Sequence, residues 1–216
     1  MSALLRRPRR LRPGSLVGVA ALSGPVRPES LDAGVAALER FGYRVRVARN
    51  VLETEPLLGL AGGDEARVSG YVELVADPEV EAVLFARGGS GVTRVLHRLP
   101  ERLLAETAKL HCGFSDLTAL SAFLRERCGL VSLHGPMVAA DLAAPLDAWT
   151  APFFPAMLEG RGPGRLAVAS AELLVPGRAE GPLVGGCLSL LAALCGTPWD
   201  FDYDGALLFV EEVGEE

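Results

Sequence analysis

The sequence predicts an α/β protein: an N-terminal doubly wound, mainly parallel sheet of the Rossmann or flavodoxin type, followed by an incomplete second α/β domain. Three observations predict it. Short apolar runs alternate with stretches whose apolar residues recur at helical spacing, the pattern of repeated strand–helix units. Residues suited to chemistry, Ser23, Gly88, Ser115 and His134, all fall where such runs end, as ligand-binding residues do in open parallel sheets. A proline- and glycine-rich stretch, with its linker at 159–164, divides the chain into residues 1–160 and 165–216.

Taken in order, Leu16 to Leu22 reads as a first buried strand ending in Ser23-Gly24-Pro25. The basic cluster before it (Arg6, Arg7, Arg9, Arg10, Arg12) would also suit a secretory signal, but Gly18 interrupts the run and the strand–helix alternation that follows favours a strand. Leu31, Val35, Leu38 and Phe41 then mark a helix that Gly42 stops, and Tyr43 to Val47 alternates like a strand at the side of a sheet. Asn50 to Gly63 is loop-like, with room for one short helical turn. Asp64 to Val75 carries Val68, Tyr71, Val72 and Val75 on one helical face, and Val80 to Ala86 is a third strand running into Arg87-Gly-Gly-Ser-Gly91. Val92 to Leu99 reads as a short helix and Lys109 to Gly113 as a fourth strand. Beyond Ser115, a helix with Leu117, Leu120, Ala122, Phe123 and Leu124 for burial leads to a fifth strand at 130–133 and then His134-Gly-Pro136. A short helical segment falls near Phe153 to Leu158. In the second part, Arg165 to Ala169 reads as a strand, Gly181 to Gly186 as a loop, Gly186 to Cys195 as a helix burying Leu188, Leu191 and Leu194, and Ala206 to Val210 as a buried strand delivering Glu211 and Glu212.

A hydrophobic content of 50% over 216 residues supports a substantial core. The net charge of -6 and a pI near 5.2 argue against a nucleic-acid surface, and no stretch approaches the ~20 apolar residues that cross a bilayer. Cys112, Cys128, Cys187 and Cys195 lack C-x-x-C spacing, which suits free thiols in a reducing cytoplasm. His97, His111 and His134 lack zinc-site spacing, so neither metal nor cofactor is expected, and His97 and His111 read as surface or sheet-end residues.

The stretch His111-Cys-Gly-Phe-Ser-Asp116 sets a serine between a strand and a helix start, where the chain turns sharply and helix N–H groups face outward. On that stretch alone, the simpler reading is that Ser115 or Asp116 caps the helix. The glycines after the third strand let backbone approach a ligand and present amides to it. Leu117 stands where an α/β-hydrolase elbow has its second glycine, so the turn is of another kind.

Together, Arg87-Gly-Gly-Ser-Gly91, Gly113-Phe-Ser-Asp-Leu-Thr-Ala-Leu120, His134-Gly-Pro-Met137, Gly185-Gly-Cys-Leu-Ser189, Gly196-Thr-Pro198 and Leu207-Leu-Phe-Val-Glu-Glu-Val213 resemble the LD-carboxypeptidase family. The family comprises serine peptidases, among them muramoyl-tetrapeptide carboxypeptidases and microcin C immunity peptidases. The opening Arg12-Pro-Gly-Ser-Leu-Val-Gly-Val with Ser23-Gly-Pro25 is similar to the family's start. The departures are Ser90, where the family usually has tyrosine, and Cys187, where it has asparagine.

The resemblance implies Ser115 as nucleophile and Glu211 as the acidic member of a triad, with oxyanion donors among the backbone amides of Gly88, Gly89 and Asp116. Arg87, Ser90 and His134 are the expected substrate-lining residues, Arg87 because a carboxypeptidase must recognise a free terminal carboxylate. The family's triad histidine lies in the second domain beyond the last residue here, so the chain is expected to be a fragment, inactive by itself. The implied activity is hydrolysis of the amide to a terminal D-amino acid in a murein tetrapeptide, by a cytoplasmic homodimer. Alternatives are detoxification of a peptidyl-nucleotide antibiotic, for which Trp149 or Trp199 would have to face the pocket, and a non-catalytic murein-peptide-binding module.

Overall fold

The computed structural model describes residues 5–162, 164–166 and 171–214. Four strands, β1 (Leu16–Ala20), β2 (Arg44–Val47), β3 (Val80–Phe85) and β4 (Leu110–Cys112), form a wholly parallel sheet in the order β2-β1-β3-β4. Central β1 is buried along its whole length and β3 at every residue but Glu81, as strands covered on both faces must be. Edge strand β2 carries Arg44 and Arg46, charges that discourage a further strand from pairing there.

Parallel pairing requires crossovers, supplied by α1 (Pro28–Arg40) between β1 and β2 and α2 (Asp64–Ala76) between β2 and β3. The path reverses at β1, so right-handed crossovers place these helices on opposite faces. The reversal leaves a crevice at the carboxyl ends of β1 and β3, between the Ser23-Gly24 turn and the Arg87–Gly91 loop. On α1 the stripe Leu31, Gly34, Ala37 and Leu38 is buried. On α2 the buried stripe is Arg67, Gly70, Tyr71, Leu74 and Val75; the expected Val68 and Val72 lie at its margin because α2 is rotated to bring Leu74 onto Gly18, where a Cβ would lie 3.0 Å from Leu74 Cδ1.

Other expectations need correction. Residues 92–99 form turns with one 3-10 turn at Leu96–Arg98 instead of a helix, and the unanticipated helix α3 (Glu101–Thr107) follows. Seven residues with only Leu104 buried leave too little periodicity to detect. The fifth strand is reduced to isolated bridges, because the segment changes partner midway: Leu130 pairs with Arg6 and Leu133 with Cys112. Helix α4 (Thr118–Cys128) buries Leu120, Ala122, Phe123 and Leu124 as its sequence requires. Helix α5 (Thr150–Leu158) packs Phe154 against Phe41 of α1's end, rings 5.9 Å apart.

A second, two-stranded parallel sheet joins β5 (Leu183–Cys187) and β6 (Leu207–Glu211) through α6 (Leu188–Leu194). The loop expected at 181–186 is therefore largely strand. Gly185 and Gly186, which read as loop, instead hold φ values of +135° and +142°, and a Cβ on Gly185 would overlap the Phe209 carbonyl oxygen of β6. Leu188 is 51% exposed at the first position of α6, and β6 is covered on one face only, with Leu208 and Val210 outward. The strand expected at 165–169 falls largely outside the described residues. Among the described residues no helix is long and apolar enough to cross a membrane.

His111, expected at the surface or at a sheet end, lies on β4, the end strand of the sheet, and is buried there. Its Nδ1 faces the Lys109 carbonyl oxygen at 3.0 Å, which can only accept, so Nε2 is the nitrogen that accepts the Tyr71 hydroxyl at 2.8 Å. Burial pulls its pKa from 6.5 down to about 4.

Two outcomes follow from this packing. Gly34 lies against the Val138 carbonyl, which a Cβ would overlap, so Gly34→Ala is expected to lower stability by about 1–3 kcal/mol in urea melts. As pH falls from 6.5 towards 4 the unfolded chain takes up the His111 proton before the folded one, so stability falls over that window. The urea midpoint of His111→Gln is expected to depend less steeply on pH there than that of the native sequence.

Candidate active site at the strand ends

The turn that carries Ser115 is built from β4 outward. Gly113 follows the strand in a tight space: a Cβ there would lie 3.1 Å from Leu117 Cγ and 3.2 Å from Phe85 Cδ2. Ser115 then takes φ +61°; among the described residues only Ala108 shares a positive φ without being glycine. Such a conformation costs about 1–3 kcal/mol and persists only where surrounding contacts fix it. The 3-10 turn Ser115–Leu117 passes directly into α4, so the Asp116 amide sits in a first helical turn with no intrahelical acceptor.

The Asp116 side chain is not the helix cap that its position suggests. Its buried Oδ2 accepts the Ser23 hydroxyl at 2.6 Å and the Val92 amide at 3.0 Å, joining the loops that follow β1 and β3. Burial raises its pKa, while the Ser23 and Val92 hydrogen bonds and the charge of Arg67 oppose the rise.

The glycine loop lies over the serine. A Cβ on Gly88 would lie 3.0 Å from Ser115 Cβ and 3.1 Å from its Oγ, and the Gly88 carbonyl accepts the Gly24 amide at 3.2 Å. Gly89 has φ +126°. Arg87 is exposed, donates to the Pro25 carbonyl at 3.3 Å, and lines with Arg27, Ser30 and Thr54 an open hollow of about 550 Å³. Ser90 is exposed beside it.

The acidic side comes from the second sheet. Thr118, in the turn after Ser115, accepts the Cys187 amide at 3.1 Å through its buried hydroxyl, which docks β5 onto α4. Glu211, opposite Cys187 in the register, ends β6. Its Oε1 is shielded from solvent and has no hydrogen-bond partner among the described residues; His134 Nε2 stands 3.7 Å away, beyond hydrogen-bond length. Burial, and then the charge of Glu212, raises the Glu211 pKa, and burial lowers that of His134, so both shifts favour an uncharged pair. The His134 ring lies 5.6 Å from Phe114 and 4.7 Å from Phe209, and with Phe209 it lines a cavity of about 370 Å³ that reaches Arg125.

Glu212 points elsewhere: it accepts the Ser189 amide at 2.9 Å and hydroxyl at 2.5 Å, which hold its pKa at about 2. Cys112 is a buried thiol pushed up to about 12 by burial, unsuited to attack. Trp149 packs on Phe153 with rings 5.1 Å apart, Trp199 packs against the core, and neither lines this cavity.

Ser115, Gly88 and Asp116 thus form one group, with Gly89 beside it against Gly24, and Glu211 with His134 forms a second, joined to the first through Phe114. Sequence reasoning missed Thr118, Phe209 and Arg67. For Arg67 a signal existed: it lies one helical turn before Tyr71, on the buried face of α2. Chemically, a half-buried hydroxyl in a constrained turn beside glycine-loop and helix-end amides suits attack on a carbonyl.

Residues 17–135 match the LD-carboxypeptidase N-terminal domain and residues 180–216 the LD-carboxypeptidase C-terminal domain. A Streptomyces coelicolor protein provisionally named a carboxypeptidase is 43% identical over 98% of the chain and 69% of its own length. A Bacillus subtilis protein, named with similar reserve a murein peptide carboxypeptidase, is 36% identical over 97% of the chain and 66% of its own length. Among solved structures, an MccF-like protein from Bacillus anthracis superposes with a TM-score of 0.85 at 24% identity, covering 96% of the chain and 70% of that protein. A muramoyltetrapeptide carboxypeptidase from Oxalobacter formigenes gives 0.77 at 31% identity over 93% and 66%. The chain therefore spans about two thirds of the length of these proteins.

Adding a methyl group at Gly88 is expected to push directly on the serine. In the full-length gene product, Gly88→Ala is expected to slow labelling of Ser115 by a fluorophosphonate by about a hundredfold while the melting transition stays cooperative, measured by intact-protein mass spectrometry against time.

Proposed function

The chain belongs to the LD-carboxypeptidase family, and from that membership we propose that it carries the nucleophile and acid of a serine carboxypeptidase that removes a terminal D-amino acid from a murein tetrapeptide. The carrying observation is Ser115 itself, held at φ +61° beneath Gly88 at the head of α4.

In this reading Ser115 Oγ attacks the amide carbonyl carbon and gives its proton to a histidine base oriented by Glu211. The negative oxygen of the tetrahedral intermediate is met by amides of Gly88, Gly89 and Asp116; each such donor is typically worth about 2.7–4 kcal/mol in the transition state. The C–N bond breaks as the base returns the proton to the departing amine, leaving an acyl-serine that water cleaves by the same path. Arg87 meets the terminal carboxylate of the substrate, with Ser90 and His134 along its flanks. The shielded Oε1 of Glu211 supports its assignment, because an acceptor withdrawn from water requires a donor. A division near 160–165, a cytoplasmic setting and pairing of two copies belong to the same reading.

The test is release of D-alanine from an L,D-linked tetrapeptide by the full-length gene product. Ser115→Ala and Glu211→Gln are each expected to reduce kcat by about 10⁴-fold or more. Undiminished release by Ser115→Ala would overturn the assignment.

A further inference from the structure

Arg67 is fully buried, with a side-chain exposure of 0%, and a charge so placed has to be matched by its surroundings. Its Nη1 donates to the carbonyl oxygens of Leu22 and, at 3.0 Å, Gly91; its Nη2 meets Asp64 Oδ1 at 2.5 Å, and Arg94 holds Asp64 from outside at 3.0 Å. Asp116 contacts the residues that follow those two carbonyls, accepting from Ser23 and Val92. The Gly91 carbonyl and the Val92 N–H belong to one peptide group. That group is gripped at its oxygen by a buried cation and at its nitrogen by a buried carboxylate.

We propose that Arg67 and Asp116 are positioning residues that together lock the Gly91–Val92 peptide and thereby hold the Gly88-Gly89 segment over Ser115. Glycines at φ +126° (Gly89) and +117° (Gly91) give the loop the freedom to rotate its peptide planes. A flip of the Gly91–Val92 plane would bring its carbonyl oxygen to the Asp116 carboxylate and its N–H to the Arg67 guanidinium. Like ends would then meet at both charges in a low-dielectric site, so one orientation alone is stable. Leu22 and Ser23 are held by the same two side chains, which sets the β1 and β3 loops in register before any substrate arrives.

The catalytic side of this inference rests on the reading of Ser115 as nucleophile, so the experiment on the full-length protein has two readouts. In Arg67→Met and in Asp116→Asn, which keeps the backbone amide, the Val92 amide is expected to exchange with solvent at least tenfold faster by NMR. Acylation of Ser115 by a fluorophosphonate is expected to slow by about a hundredfold at saturation with the half-saturating probe concentration unchanged. Arg67→Lys keeps the charge and is expected to recover part of both; it also serves if Arg67→Met fails to fold. Val92 exchange at the native rate in the folded variants, or acylation at the native rate, overturns the proposal. If the native protein is not labelled at Ser115 while Val92 exchange responds as stated, the acyl-transfer reading falls and the lock stands.

Discussion

The Asp116 carboxylate, on the residue after Ser115, accepts hydrogen bonds from Ser23 and Val92, so the ends of β1, β3 and β4 meet at one buried group. The parallel sheet brings these strand ends to one edge and the reversal of its winding opens a crevice between two of them, but neither feature fixes loops to a fraction of an ångström. Hydrogen bonds to a shielded carboxylate do, because each is strong in that setting and expensive to leave unmade. The unusual backbone of Ser115 is tolerated for the same reason: the residues on either side are held independently of it.

Helix α4 relates the two sheets. Its head presents Ser115, and one turn later Thr118 binds the Cys187 amide, with Gly186 packed so closely on Thr118 that a side chain there would collide. Glu211 lies directly across from Cys187, so its carboxylate is located relative to Ser115 through a single short helical turn and one strand pair. The two halves of the site share one rigid reference although about a hundred residues of sequence separate them.

Much of this was legible in the sequence. Apolar runs marked β1 and β3 because strands covered on both faces bury nearly every position, and helical spacing marked α1, α2 and α4. Ser115 and the Arg87–Gly91 loop could be read only together: a serine before a helix is by itself an ordinary cap, and its company at the other strand ends singled it out. β5 could not, since Gly185 and Gly186 look like loop until their close approach to β6 is seen. Arg67 escaped because counting apolar residues passes over an arginine on a buried face, and a charge there has meaning only once the carbonyls it satisfies are known. Asp116 misled for a related reason: an aspartate at a helix start is the usual cap, and only the folded chain shows its carboxylate turned to the neighbouring loops. Glu211 was separable from Glu212 by resemblance and strand position, and the structure distinguishes their surroundings, one oxygen shielded and unpartnered against a carboxylate bound by Ser189.

The left-handed backbone at Ser115 has a consequence for how this chain can change over time. The strain comes from the Cβ, so a glycine there would relieve about 1 kcal/mol, and the fold by itself would be better off with no side chain at this position. Random substitution therefore pulls this position away from serine in any lineage where only stability is under selection. A serine kept at such a site is maintained against the grain of the fold, and its loss would be an early mark of a copy that has ceased to do chemistry.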